Sequence, residues 1–283
     1  VQDFIGAARP SIADPFLPAK IREGRSDEIR ECIGCNICRA ANNEGVGLRC
    51  SQNPTMGEEW RRGWHPERIA SYPRREKVLV VGAGPAGLEA ALALGRRGLE
   101  VSLAEKSRHL GGRILREATL PGLSTWIRVR DWRATMIAKL PNIEVFPESP
   151  MTGADIADFG ADHVVIATGS RWRRDGIGVL NLDPRDFAKA LTPDDVFAGA
   201  KIAGPVVIYD DDHYFMGGAL AEKLAREGHA VTLVTPQATA SYWTAYTDEQ
   251  GFVQARLLEL GVTLALSQHV TAQSDGEARL ACA

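Results

Sequence analysis

The strongest alternation of apolar and polar positions lies in KVLVVGAGPAGLEAALALGRRGLEVSLAEK. Val78–Val81 form an unbroken apolar run and predict a buried strand; the alanine- and leucine-rich stretch from Gly87 to Arg97 predicts a helix closed by Gly98; Val101–Ala104 predict a second strand. Strand, helix and strand within about 30 residues make a right-handed βαβ crossover. HVVIATGS at 163–170 reads as a further buried strand, and the terminal EARLACA reads as a strand. The order recurs in PVVIYDDDHYFMGGALAEKLAREGHAVTLVTP (205–236), where a shift of 130 residues sets Gly228 on Gly98 and AREGHAVTLV on GRRGLEVSLA. Ahead of these units, residues 1–30 read as strand, loop and short helix, with Pro10, Pro15 and Pro18 keeping the middle irregular. Residues 31–72, which include Trp60 and Trp64, show little periodicity, and Pro73–Glu76 reads as a linker.

Composition narrows the class. The 283 residues are 45% hydrophobic and 24% charged, ordinary for a globular protein, and the net charge of −3 gives no case for nucleic acid. No apolar run approaches the ~18 residues of a membrane span, and no signal peptide opens the chain. Four of the five cysteines lie between Cys32 and Cys50, with Cys282 alone near the end. Clustering of this kind points to metal rather than disulfides, and to a reducing cytoplasm. Both ends read as cut, so a fragment of a longer polypeptide is expected.

The cysteine spacing is Cys32-x2-Cys35-x2-Cys38, then eleven residues to Cys50. Three thiolates at that pitch can wrap one face of a cube and a fourth from a nearby loop can complete it, which suits a [4Fe–4S] cluster. Structural zinc, the rival, usually takes two well-separated pairs. Gly34 and Asn36 permit the tight turns between the ligands.

Gly82-Ala83-Gly84-Pro85-Ala86-Gly87 follows a strand and opens a helix. Gly82 serves the turn, Gly84 lets backbone approach a pyrophosphate, Gly87 allows close helix–strand packing, and the helix N-terminus faces the phosphates. Glu105 ends the second strand, where it can accept from ribose hydroxyls. The pattern specifies an adenine nucleotide without separating FAD, NAD and ADP. Gly111-Gly112-Arg113 reads either as a second lining for the phosphates or as a plain turn. In the repeat, Asp212, Tyr214 and Gly217 fall on Gly82, Gly84 and Gly87, and Thr235 falls on Glu105. Only the packing glycine survives, and Asp210, Asp211 and Asp212 put carboxylates where phosphate charge would sit. The second unit is expected to keep the shape of a nicotinamide-binding domain without its binding chemistry.

IGAARPSIADPFLPAKIREGR, CIGCNIC, CSQNPTMGEEWRRGWHPE, VGAGPAGLEAA, LPGL, ATGSRW and YFMGGALAEKLAREGHAVTLV together resemble the trimethylamine dehydrogenase and histamine dehydrogenase-like family of iron–sulfur flavoproteins. The resemblance runs almost end to end. It implies an α/β protein: the end of an FMN-binding (β/α)8 barrel (1–30), an iron–sulfur segment (31–72), an FAD- or ADP-binding Rossmann-like domain (73–199), and a degenerate, incomplete NAD(P)-binding-like domain (200–283). It also implies that Arg9, with backbone from Gly6, Ala7 and Ala8, binds the FMN phosphate, a placement that fits the C-terminal loops of a barrel. Gly112 and Arg113 join Gly82–Gly87 and Glu105 as nucleotide contacts, and ADP is preferred to FAD on the resemblance.

The activity implied is oxidation of a small amine at FMN in a preceding barrel, with electrons leaving through the cluster to an electron-transfer flavoprotein or similar acceptor. A cytoplasmic homodimer is implied for the complete enzyme. The alternative within the superfamily is an NAD(P)H-dependent enoate or dienoyl-CoA reductase. Such reductases are expected to carry an extra residue between the second and third cysteines and an intact second glycine motif; this chain has neither. A third reading is a stand-alone electron-transfer module.

Overall fold

The computed structural model describes residues 5–63, 65, 67–185, 187, 189–274 and 276–283, apart from the side chains at 61 and 62. The start of the strand expected from Val1 and the residue Trp64 therefore lie outside the described residues. The helices are α1 (Ala8–Ala13), α2 (Leu17–Arg22), α3 (Ile37–Asn43), α4 (Glu59–Arg62), α5 (Pro85–Arg96), α6 (Ile114–Glu117), α7 (Ile127–Ala138), α8 (Gly153–Asp158), α9 (Pro193–Phe197), α10 (Phe215–Arg226) and α11 (Gln250–Glu259). The strands are β1 (Lys77–Val81), β2 (Glu100–Ala104), β3 (Ile143–Phe146), β4 (His163–Ile166), β5 (Val206–Tyr209), β6 (Val231–Thr235), β7 (Thr263–Leu266), β8 (Gln268–Ser274) and β9 (Glu277–Cys282). None of the described helices is long and apolar enough to cross a membrane.

The chain forms two compact units. The first comprises Val1–Cys38, Val46–Thr119 and Leu123–Gly169; the second comprises Arg39–Gly45, Leu120–Gly122 and Ser170–Ala283. In the first, a parallel sheet runs in the order β3-β2-β1-β4, with Val78 opposite Val101 and His163. Val78, Val80, Val101 and Leu103 turn one face onto Leu88 and Leu92 of α5 and Trp132 and Met136 of α7. Leu79, Val81 and Ala104 turn the other face onto Met151, Ile156 and Ala161. The strand expected through 163–170 ends at Ile166, and it is an exposed edge rather than a buried strand. It has a neighbour on one side only, so apolar sequence there did not mean burial.

The stretch before the cysteines departs from its sequence reading. Instead of irregular chain, it holds α1 and α2, with Pro10 the third residue of α1 and Pro18 the second of α2. First-turn N–H groups have no intrahelical acceptor, so proline costs nothing there. Lys20 is fully buried and anchors the stretch, donating to Asp14 Oδ2 at 2.7 Å, Glu67 Oε1 at 2.9 Å and the Glu28 carbonyl at 2.9 Å.

In the second unit, a parallel sheet runs β5-β6-β7, and β8 and β9 form an antiparallel hairpin. Helix α10 starts and ends 130 residues after α5, so the repeat read from sequence is a repeat of structure. The units divide at Gly169/Ser170, thirty residues before the boundary expected near 200. The reason is local: Asp211 accepts the N–H groups of Leu180 and Asn181, Arg185 donates to the Val270 carbonyl at 2.6 Å, and Phe187 packs with Val234 and Val270.

Candidate functional site: a four-cysteine cavity and a glycine loop

Cys32, Cys35, Cys38 and Cys50, all half-buried and none in a disulfide, border one cavity of about 300 Å3, its open mouth included, together with Arg9, Ile12, Asn36 and Gln52. Gly34 and Asn36 both adopt left-handed backbone (φ +71° and +53°), which turns the chain sharply between successive cysteines. Cys50 arrives from a separate loop that two buried amides hold in place. Asn53 donates to the Ile12 carbonyl at 3.0 Å and accepts from the Thr55 N–H at 3.1 Å. Gln52 donates from its side chain to the Glu31 carbonyl at 3.1 Å and from its backbone to Cys50 Sγ at 3.4 Å. Cys35 Sγ lies 3.2 Å from Ser51 Oγ. Burial pushes the Cys50 thiol up, while the N–H groups of Asn53 and Gln52 pull it down; such donors stabilise sulfur that carries negative charge.

Among the described residues, no three His, Cys, Asp or Glu side chains converge closely enough to chelate one ion. The sulfurs instead stand around a space. Four thiols around one space are a donor set that an iron–sulfur cluster could use, each iron corner taking one thiolate. Arg9 and the chain from Gly6 to Ala8 are exposed at the start of α1, and an Arg9 guanidinium nitrogen donates to Asn36 Oδ1, between two of the cysteines.

The glycine loop follows β1 in the same unit. Gly82 takes φ +99°, and a Cβ there would lie 2.4 Å from the Ala167 carbonyl oxygen. At Gly87 a Cβ would lie 1.8 Å from the Gly82 oxygen. At Gly84, the N-cap of α5, a Cβ would meet no protein atom within 4 Å. Packing thus explains two of the glycines, and open space beside the third suits a ligand approaching the backbone. No side chain caps the N-terminus of α5 among the described residues, and since its first residue is Pro85, Ala86 carries the first N–H of the helix. The pair Gly111-Gly112 comes back to this loop: Gly111 N–H donates to the Ala83 carbonyl at 2.8 Å, and a Cβ on Gly112 would lie 3.0 Å from Gly84 Cα. Arg113 is ion-paired to Glu117 at 2.6 Å. Glu105 is buried, accepting from Ala83 N–H at 2.8 Å and Ser107 N–H at 2.9 Å. Each carboxylate oxygen retains a lone pair for a ribose hydroxyl.

The corresponding loop of the second unit is filled by its own side chains. His213, at the position of Ala83, is fully buried with φ +64°, its ring 2.9 Å from Asp211 Oδ1 and 3.4 Å from Thr235 Oγ1. Asp210 takes the N–H groups of Asp212 and His213. The expectation of three carboxylates facing a phosphate is corrected here: Asp210 and Asp211 turn inward to cap backbone, and only Asp212 is exposed. The sequence pattern showed the lost glycines but gave no sign of the histidine.

Two families match: residues 80–146 match the NAD(P)-binding Rossmann-like domain and residues 191–281 the OYE-like second alpha/beta domain. The dimethylamine dehydrogenase of Hyphomicrobium sp. (strain x) is 46% identical over 272 residues, which are 92% of this chain and 37% of that protein. Histamine dehydrogenase from Rhizobium sp. 4-9 superposes with a TM-score of 0.95 at 50% identity, covering 100% of this chain and 44% of the other. The 6-hydroxypseudooxynicotine amine oxidase of Pseudomonas geniculata N1 gives a TM-score of 0.93 at 42% identity, covering 99% and 44%. The chain therefore spans about two-fifths of the length of these relatives.

Proposed function

The chain belongs with the trimethylamine dehydrogenase-like flavoproteins, and from that premise we propose that it is the electron-exit part of an amine dehydrogenase or N-demethylase acting on a small amine. The observation that carries this reading is the cavity bordered by all four clustered cysteines. Cys32, Cys35, Cys38 and Cys50 would hold a [4Fe–4S] cluster. When bound, such a cluster supplies one-electron transfer between a flavin and an external acceptor. Arg9 would take the FMN phosphate with the backbone of Gly6, Ala7 and Ala8, a bidentate guanidinium being suited to a phosphate dianion. The loop from Gly82 to Gly87, in which Gly82 and Ala83 donate within the protein and Pro85 has no N–H, would turn the N–H groups of Gly84 and Ala86, with Gly112 beside them, toward the pyrophosphate of ADP or FAD, and Glu105 would accept from its ribose; Arg113, paired with Glu117, would flank the site.

The second unit would bind no nicotinamide, because His213, Asp210 and Asp211 occupy its loop. Electrons would leave to an electron-transfer flavoprotein or similar protein, and the complete enzyme would be a cytoplasmic homodimer. Anaerobic mixing of the complete enzyme with small methylated amines and, separately, with NADH and NADPH tests the proposal. Amines should bleach the flavin and the nicotinamides should not. The reverse pattern would assign the chain to the enoate or dienoyl-CoA reductases.

A further inference from the structure

We propose that Arg133, held against the Cys50 loop through Gln52, raises the reduction potential of a cluster bound by the four cysteines, and that Glu89 opposes it. The inference rests on the cluster reading above and concerns what tunes the cluster.

Arg133 and Gln52 are 3% and 1% exposed. Arg133 lies on α7 and directs three donors at two targets near the cysteines and on its own helix. Nη1 donates to Gln52 Oε1 at 3.0 Å and to the Val129 carbonyl at 2.9 Å, and Nη2 donates to the Gln52 carbonyl at 3.1 Å. Gln52 passes the connection on, through its N–H to Cys50 Sγ and its side-chain amide to the carbonyl of Glu31, which precedes Cys32. A permanent buried cation thus stands two hydrogen bonds from one cysteine sulfur. Its Nε is paired with Glu89 Oε2 at 2.7 Å on α5, and Glu89 is one-quarter exposed.

Reduction adds one negative charge to a cluster. A cation in a low-dielectric surrounding stabilises that charge, and an anion beyond it does the opposite. The carboxylate is both farther along the chain of bonds and better solvated than the guanidinium, so the cation should prevail. Arg133 also fixes Gln52, and thereby the Cys50 loop, so tether and charge must be separated. Arg133→Met removes both; Arg133→Lys keeps the charge and loses the forked grip on Gln52; Glu89→Gln alters charge at nearly constant shape.

The test is an anaerobic potentiometric titration of the holoprotein followed by electron paramagnetic resonance, with iron and labile sulfide determined first in each variant. In Arg133→Met the ratio of reduced to oxidised cluster at the wild-type midpoint should be about tenfold lower, a shift of about 59 mV to more negative potential for one electron. Glu89→Gln should shift in the positive direction, and Arg133→Lys should stay near wild type. Should Arg133→Met fail to fold, an unmoved midpoint in Glu89→Gln overturns the inference. Retention of iron and sulfide with one common midpoint in all variants also overturns it. Wild-type protein without iron and sulfide would instead refute the cluster reading on which it rests.

Discussion

Gly84 differs from its two companions in what a side chain there would meet, and that difference is measurable. Gly84→Ala should leave stability within about 1 kcal/mol of wild type, since its Cβ has free space. It should nevertheless weaken adenine nucleotide retention about tenfold or more, equivalent to about 1.4 kcal/mol, in a calorimetric titration of nucleotide-free protein. Gly87→Ala should cost about 1–3 kcal/mol or more in a urea melt, because its Cβ would overlap the Gly82 carbonyl. Replacing Lys20 by methionine should cost about 3–5 kcal/mol by the same melt, since it strands buried Asp14 without its counter-charge. Asp210 adds a pH signature. Burial raises it from 3.8 to about 6, so its favourable contribution is full below about 3.8 and is lost as pH rises through 6. His213, which burial lowers, runs in the opposite direction. Asp210→Asn removes only the first effect. Its stability relative to wild type should therefore improve by about 1–3 kcal/mol between pH 4 and pH 7.5, and a pH-independent difference between the two melts would contradict the assignment.

At the scale of elements, legibility followed periodicity. Helices α5 and α10 stood out as alanine- and leucine-rich runs closed by Gly98 and Gly228, both of which take positive φ. Helix α7 did not, although Val129, Trp132, Arg133, Met136 and Ile137 make a regular buried stripe. One member of that stripe is an arginine, so the apolar pattern is broken where the chain reaches toward Gln52. The short α1 and α2 were masked by prolines whose position in the first turn makes them harmless. Of the site, residue types and spacing disclosed the four cysteines and the glycine loop. The support behind Cys50 ties its neighbours Gln52 and Asn53 to Glu31, Arg133 and Ile12, positions far away in sequence that left no local signal. Serine at Cys32, Cys35, Cys38 or Cys50 should lose or convert the cluster, read as iron and sulfide per chain, whereas serine at exposed Cys282 should leave it unchanged.

For the whole molecule, the two units share one βαβ plan and differ in what occupies the loop after the first strand. In one, Glu105 accepts from the Ala83 N–H beside open space at Gly84; in the other, Thr235 faces the buried ring of His213. The proposal of electron exit to a protein, rather than entry from a nicotinamide, rests on this contrast and on the four-cysteine cavity. The most direct test is elemental analysis of protein purified anaerobically. The account predicts about four irons and four labile sulfides per chain, with zinc absent, and a reducible paramagnetic centre. Zinc bound in place of iron, with no labile sulfide, would contradict it.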